Sequence, residues 1–253
     1  MKNATTTTVK NTAESHLLFA PERRIVNVEE AQRMAGRCSD YNDSRSEARD
    51  FSCREFHGIT FTGEDLSGID TTYSKFEDCV FENCRLSRMT ANFTQWCNCV
   101  FKNSDLENST FEFAAIYDTN FFNCNLSGVD MPFARGNFGA TQCMMNRATA
   151  QNSILQLHFC AVDAQGFEAN FAHLDLANVS KSNFRRAEFN DSVVKGRFEQ
   201  CDLSYSEFNR ADIRELEIID SATSSMETED ACGNEDDALE DALNELEEGL
   251  LDE

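Results

Sequence analysis

The residues of this chain that could do chemistry are its eleven cysteines and four histidines. Thiolates and imidazoles bind zinc where they cluster, as in Cys-x-x-Cys pairs near a histidine, and this sequence has no such pair. His16, His57, His158 and His173 have no spacing to Ser, Cys or a carboxylate that indicates a catalytic triad. The sequence therefore predicts no enzyme activity, no cofactor and no metal site.

Large apolar residues recur every five positions. This period indicates which kind of backbone structure holds all the other side chains in place. Two columns are spaced by twenty: Leu66, Leu86, Leu106 and Leu126 beside Phe61, Phe81, Phe101 and Phe121. From Phe51 to Met131 only Thr71 breaks the apolar register. A helix groups residues about 3.6 apart and a strand alternates by two, so a period of five fits neither element alone. Each unit must turn a corner, and four units close one coil.

The five-residue units resemble those of the pentapeptide-repeat family, in which Leu or Phe is central and a small residue stands two positions earlier. Examples are Cys-Val-Phe-Glu-Asn (79–83), Ser-Asp-Leu-Glu-Asn (104–108) and Cys-Asn-Leu-Ser-Gly (124–128). The resemblance implies an all-β, right-handed quadrilateral β-helix. With the flanking segments, the predicted fold is this solenoid, a flexible N-terminal tail and an acidic C-terminal α-helix.

The sequence divides the chain into four segments. Residues 1–20 are polar and predicted to be a disordered tail, and 21–50 to be a cap that includes a short helix from Val28 to Arg37. Residues 51–218 form the repeat region, and 219–253 a linker and an acidic amphipathic helix.

The five-residue register slips after Met131, between Ala148 and Leu157, and between Leu176 and Phe184. We expect small loops to project at these slips. Cys143 and Phe171 are interpreted as the centres of two of the later units.

Cysteines fill the small position of several units, and a reduced thiol there behaves as a small hydrophobe. The cysteines assigned to that position are Cys79, Cys84, Cys99, Cys124, Cys160 and Cys201. Cys79 and Cys99 share one column, so a disulfide between adjacent coils is conceivable, but a reducing cytosol would keep them as thiols.

The C-terminal segment is acidic, with thirteen Asp and Glu and no Lys or Arg between Met226 and Glu253. Leu239, Leu243, Leu246 and Leu250 recur at four, three and four residues, which predicts an amphipathic helix. The leucines would bind the protein's own body, a second copy to give a homodimer, or a foreign partner.

Phe113, Tyr117 and Phe122 fall on nominally outward positions of one coil. Exposed aromatic side chains are costly unless they are covered. We interpret these three residues as a candidate partner-binding patch, with packing by neighbouring loops as the alternative.

The net charge is -23, of which residues 51–218 contribute only -9, with 23 acids and 14 bases. This sign disfavours direct nucleic-acid binding and favours a basic protein groove as partner. No apolar run is long enough for a membrane helix, and no secretory signal is present, so we expect a cytoplasmic protein.

The resemblance also implies a partner, because several pentapeptide-repeat proteins resemble a DNA segment and bind DNA gyrase or topoisomerase IV. Such binding inhibits the enzyme or protects it from poisons. The alternative is a bacterial effector or scaffold, exported by a non-Sec system, whose C-terminal acidic helix recruits a partner.

Overall fold

The computed structural model of the protein describes residues 22–39 and 49–233. Over these residues the chain is an all-β parallel β-solenoid of about eight turns. The predicted N-terminal tail (1–20) and most of the predicted C-terminal helix lie outside the described residues. The right-handed sense of the coil and its quadrilateral section stay predictions.

One helix and thirteen strands make up the described chain. In chain order they are β1 (Arg24–Val26), α1 (Val28–Ser39), β2 (Arg54–His57), β3 (Thr60–Thr62), β4 (Lys75–Glu77), β5 (Val80–Glu82), β6 (Gln95–Cys97), β7 (Val100–Lys102), β8 (Ala115–Phe122), β9 (Arg135–Thr141), β10 (Ile154–Cys160), β11 (His173–Ser180), β12 (Val193–Glu199) and β13 (Leu216–Ile219).

Parallel pairing between successive coils forms four ladders. The first ladder joins β2, β4 and β6 to the first halves of β8 to β12, and the second joins β3, β5 and β7 to their second halves. The third ladder is a chain of single bridges from Asp65 to Ala222, and the fourth a similar chain from Asp50 to Glu227. Each coil therefore pairs with the next at every fifth residue.

The central residue of each unit points into the coil because the backbone bends between units. Phe61, Phe81, Phe101 and Phe121 stack with ring centroids 4.9, 4.7 and 4.8 Å apart. The leucine column, Leu66, Leu86, Leu106 and Leu126, is buried beside them. Each buried side chain of this kind contributes about 1.5–3 kcal/mol, so the interior column stabilises the whole rod.

The slips in register are absorbed inside long strands, and the prediction of projecting loops is wrong. β8 pairs with β9 through a bulge between Ile116 and Thr119, so the rungs after the bulge in this pair are 19 residues apart rather than 20. A Cβ on Gly136 (φ 126°) would lie 1.7 Å from the Ile116 carbonyl oxygen. Only glycine fits this close approach of two coils. The same arrangement recurs at Gly196, opposite Leu176.

These bulges shift the later units relative to the predicted pattern. Cys143, predicted as a centre, places its Sγ 3.4 Å from the Phe121 carbonyl oxygen, as Cys84 does with Phe61. It therefore occupies the small position. Phe171, also predicted as a centre, is 57% exposed.

All eleven cysteines are free thiols. Cys79, Cys84, Cys99, Cys124 and Cys201 are buried at the small position. Cys160 is exposed and points outward from β10, so its assignment to the interior is wrong. Burial raises the pKa of the Cys84 and Cys201 thiols, which keeps them protonated and unreactive near neutral pH.

The two ends of the solenoid differ. At the first coil, β1 pairs with β2, and α1 buries four side chains against the core: Ala31, Met34, Ala35 and Cys38. Asn27 caps α1, since its Oδ1 accepts from the Glu30 amide at 2.9 Å. At the other end the bridge from Asp212 to Cys232 carries the coil past residue 218, into the region predicted as a linker.

Candidate interaction surface

The outward rungs of the fourth ladder carry a continuous row of acidic side chains. Seven of its ten bridge residues are Asp or Glu, and the other three are threonines. We call these seven residues the acidic column: Asp50, Asp70, Asp130, Glu168, Glu188, Glu207 and Glu227. Because they lie on one ladder, their carboxylates face the same side of the rod.

Neutral amides hold the carboxylates of this column in place. The Gln151 side chain donates to Glu168 at 3.2 Å, and Asn170 donates to Glu188 at 3.0 Å. Asn190 repeats the contact with Glu207 at 2.9 Å. A carboxylate that accepts from an amide is oriented but keeps its full charge. The column is therefore ordered and remains negatively charged.

Basic residues are nearly absent from this side of the described chain. Within residues 22–39 and 49–233, only Asp50 of the column has a basic partner, Arg54 at 3.3 Å. We count as outward the bridge residue and the residues two and three after it. On the fourth ladder these positions hold eleven acids and one base, a net charge of -10. That base, Arg210, pairs with Asp191 at 2.6 Å.

The third ladder shows the opposite arrangement. Its outward positions hold five acids and five bases, a net charge of zero. Arg85 lies 3.8 Å from Asp65, and Arg185 lies 3.3 Å from Asp202. Most of the solenoid's net charge is thus on one side. Sequence reasoning missed this column, although reading outward residues coil by coil would have shown part of it.

A row of aromatic rings borders the acidic column. Tyr73, Phe93, Phe113 and Phe133 stack at 4.9, 5.1 and 4.8 Å, with their planes within 12° of parallel. All four have positive φ, between 55° and 61°. Bulky L residues rarely adopt this backbone conformation, and the stacking along the rod offsets its cost. We call these four residues the aromatic row.

The structure does not gather the predicted aromatic patch on one face. Phe113 belongs to the aromatic row, half-buried between Phe93 and Phe133. Tyr117 points outward from the first ladder and Phe122 from the second, and they are 42% and 41% exposed. Their role in binding stays a prediction. The other predicted contact residues, Leu239, Leu243, Leu246 and Leu250, lie outside the described residues.

Residues 22–39 and 49–233 contain no group of three His, Cys, Asp or Glu placed to hold a metal ion. In the same part of the chain no helix is long and apolar enough to cross a membrane.

Fold and surface together define a parallel β-solenoid with five-residue units and one strongly acidic side. Residues 91–128 match the sequence model of the family described as pentapeptide repeats, in eight copies. The chain carries pentapeptide repeats, and the resemblance predicted from its sequence is confirmed. No curated protein matches the sequence.

Solved structures of similar proteins include a trypsin-treated form of QnrB1, a plasmid-mediated fluoroquinolone resistance protein. It is 19% identical, with a TM-score of 0.29, over 79% of this chain and 91% of that one. HetL, from the cyanobacterium Nostoc, is involved in heterocyst differentiation regulation; it is 16% identical, with a TM-score of 0.27, over 81% and 94%. At this identity and TM-score, neither similarity carries an argument about function.

Proposed function

We propose that this protein is a non-enzymatic, cytoplasmic binding protein that presents its acidic column to the DNA-binding groove of a type II topoisomerase. The partner would be DNA gyrase or topoisomerase IV, which the protein inhibits or protects from poisons. One observation carries the proposal: the ordered carboxylates of the acidic column, six of which have no Lys or Arg partner among the described residues.

The charge density of this side supports a DNA mimic. Ten rungs at about 4.8 Å give a length of about 43 Å. A net charge of -10 over that length is one charge per roughly 4 Å, close to the 3.4 Å of a single DNA strand. Residues 50–230 as a whole hold 28 acids and 14 bases, a net charge of -14, so this side carries most of it. A groove that contacts one DNA strand would meet a comparable row of charges here.

The sign of the charge and the repeats both support this class of partner. An acidic rod repels nucleic acid and attracts a basic protein groove, at a rate and affinity that fall with salt. The pentapeptide repeats favour topoisomerases among such partners, because family members that resemble DNA bind them.

The test removes charge from the acidic column without changing side-chain shape. Glu168→Gln, Glu188→Gln and Glu207→Gln are combined in one full-length variant. A matched control, Asp65→Asn, Asp105→Asn and Asp163→Asn, removes the same charge from the third ladder. Both variants are titrated into gyrase supercoiling reactions, with and without a fluoroquinolone, at two salt concentrations. We expect the column variant to need about tenfold more protein for the same effect, and the control to match wild type.

Two outcomes would contradict the proposal. Equal activity of the column variant and the control would mean that the acidic column is not the contact surface. No effect of wild-type protein on gyrase or topoisomerase IV, even in large excess at low salt, would exclude these partners.

A further inference from the structure

A shallow groove of about 710 Å³ runs along the first ladder, across β8 to β12. Its lining includes exposed apolar side chains: Ile154 is 62% exposed and Tyr117 42%. Val193 lies at the far end of the same groove. Ile154 and Val193 lie on one register row with His173 between them, and exposed apolar side chains in a groove favour an occupant.

The floor of the groove is shaped by the backbone. Gly136 lines it, at the bulge where two coils approach most closely. Gly136 pairs in register with the buried residues Ile116 and Leu155, and its backbone forms part of the groove because it carries no side chain. The groove is therefore a fixed feature of the solenoid.

The lining of the groove has a small excess of basic residues, unlike the acidic column. Arg135 has no carboxylate within ion-pair distance among the described residues, and His173 and Lys195 line the same groove. The one acid in the lining, Asp175, lies 3.5 Å from Lys195. An occupant with apolar and acidic side chains would complement this lining.

The described chain ends on the same ladder as the groove. Val193 is bridged to Asp212, and Asp212 to Cys232, so Gly233 lies two rungs beyond the groove. The twenty residues that follow, 234–253, contain ten acids, no base, and the leucines at 239, 243, 246 and 250. This segment has the composition that the lining complements.

We propose that residues 234–253 fold back along the first ladder and seat their leucines in this groove, with their carboxylates toward Arg135 and Lys195. The lengths agree. A helix from Leu239 to Leu250 spans about 17 Å, and five adjacent strands span about 19 Å. The six residues from Gly233 to Leu239 reach about 20 Å when extended, which exceeds the two rungs they must cross, about 10 Å.

The docked segment would add ten carboxylates to the ladder that follows the acidic column around the coil. It would widen the anionic surface instead of forming a separate arm. The docking depends on the groove, on the position of Gly233 and on the composition of residues 234–253, and it holds whether or not a topoisomerase is the partner.

Hydrogen exchange of the intact, full-length protein tests the contact. Ile154→Glu places a charge in the groove, and Met144→Glu makes the same change at a 48% exposed residue of the third ladder. We expect amides of residues 239–250 to be protected at least about tenfold in wild type and in the Met144→Glu control, and to lose that protection in Ile154→Glu. Arg135→Glu should lower the protection as well.

Three results would overturn the proposal. These are exchange of residues 239–250 at unstructured rates in wild type, protection unchanged by both groove substitutions, or protection that appears only at concentrations where light scattering detects a dimer. The last result would assign the segment to a second copy. None of these readouts involves a topoisomerase, so failure here is distinct from failure of the proposed function.

Discussion

At the residue scale, neutral amides fix the positions of carboxylates in the acidic column without neutralising their charge. Each amide in the Gln151, Asn170 and Asn190 series donates to the carboxylate on the next rung. Arginines in those places would form ion pairs and neutralise the surface, as they do on the third ladder. Four acids on adjacent rungs, Glu168 to Glu227, then repel one another across about 4.8 Å.

This repulsion predicts that the charges proposed to favour binding lower the stability of the folded protein. The variant with Glu168→Gln, Glu188→Gln and Glu207→Gln should be more stable than wild type at low salt, by about 0.2–1 kcal/mol per relieved contact. The gain should shrink at high salt, because screening already weakens the repulsion in wild type. Urea denaturation at low and high sodium chloride measures it. A salt-independent difference would mean that charge repulsion is not the cause.

A second prediction at this scale concerns the close approach at Gly136. Gly136→Ala should destabilise the protein by about 2–4 kcal/mol, because its Cβ would overlap the Ile116 carbonyl. Gly68→Ala is the control: Gly68 has φ 67° but no atom within 4 Å of an added Cβ, so it should cost only about 1 kcal/mol. Equal losses in urea denaturation would contradict the bulge geometry.

At the element scale, the two kinds of aromatic stack are stabilised by different interactions. The interior phenylalanines fill the core, whereas the aromatic row lies at a corner with positive φ. Removing an interior ring leaves a cavity. Removing a corner ring loses stacking but relieves backbone strain.

This difference predicts unequal costs for two similar substitutions. Phe81→Ala should destabilise by about 3–5 kcal/mol. Phe113→Asn should change stability by less than about 1 kcal/mol, because Asn tolerates the left-handed conformation that Phe113 adopts. Thermal unfolding of both variants provides the comparison, and a large loss in Phe113→Asn would show that the aromatic row is a structural requirement.

The N-terminal cap gives a further prediction for an element. Met34→Asp should expose the first coil and its unpaired edge, which favours association of rods end to end. Gln32→Asp introduces the same charge at an exposed position of α1. Light scattering should detect concentration-dependent association in Met34→Asp alone. Monomers in both variants would show that α1 does not protect this end.

At the scale of the whole molecule, the interior of the solenoid and its different sides have different properties. The interior column supplies stability along the rod, since each coil contacts only its neighbours. The outward positions of the fourth ladder carry a net charge of -10, and those of the third ladder have a net charge of zero. The first ladder contains the groove, two rungs before Gly233. A solenoid built this way can change one side without disturbing the core.

The amino-acid sequence by itself determined the coil. The five-residue spacing of the interior residues is a local pattern that can be read without knowing how distant segments pack. The match to pentapeptide repeats follows from that pattern. The helix near Val28 was also predictable, because its apolar spacing is local.

Only the tertiary structure decided which outward residues share a side. Rungs of the fourth ladder from Asp130 onward are 19 or 20 residues apart, because the bulges remove single residues inside strands. A strict period of twenty therefore misplaces Glu168 and Phe171. Interior positions tolerate this shift, since any apolar or small residue can fill them, but the acidic column exists only in the true register.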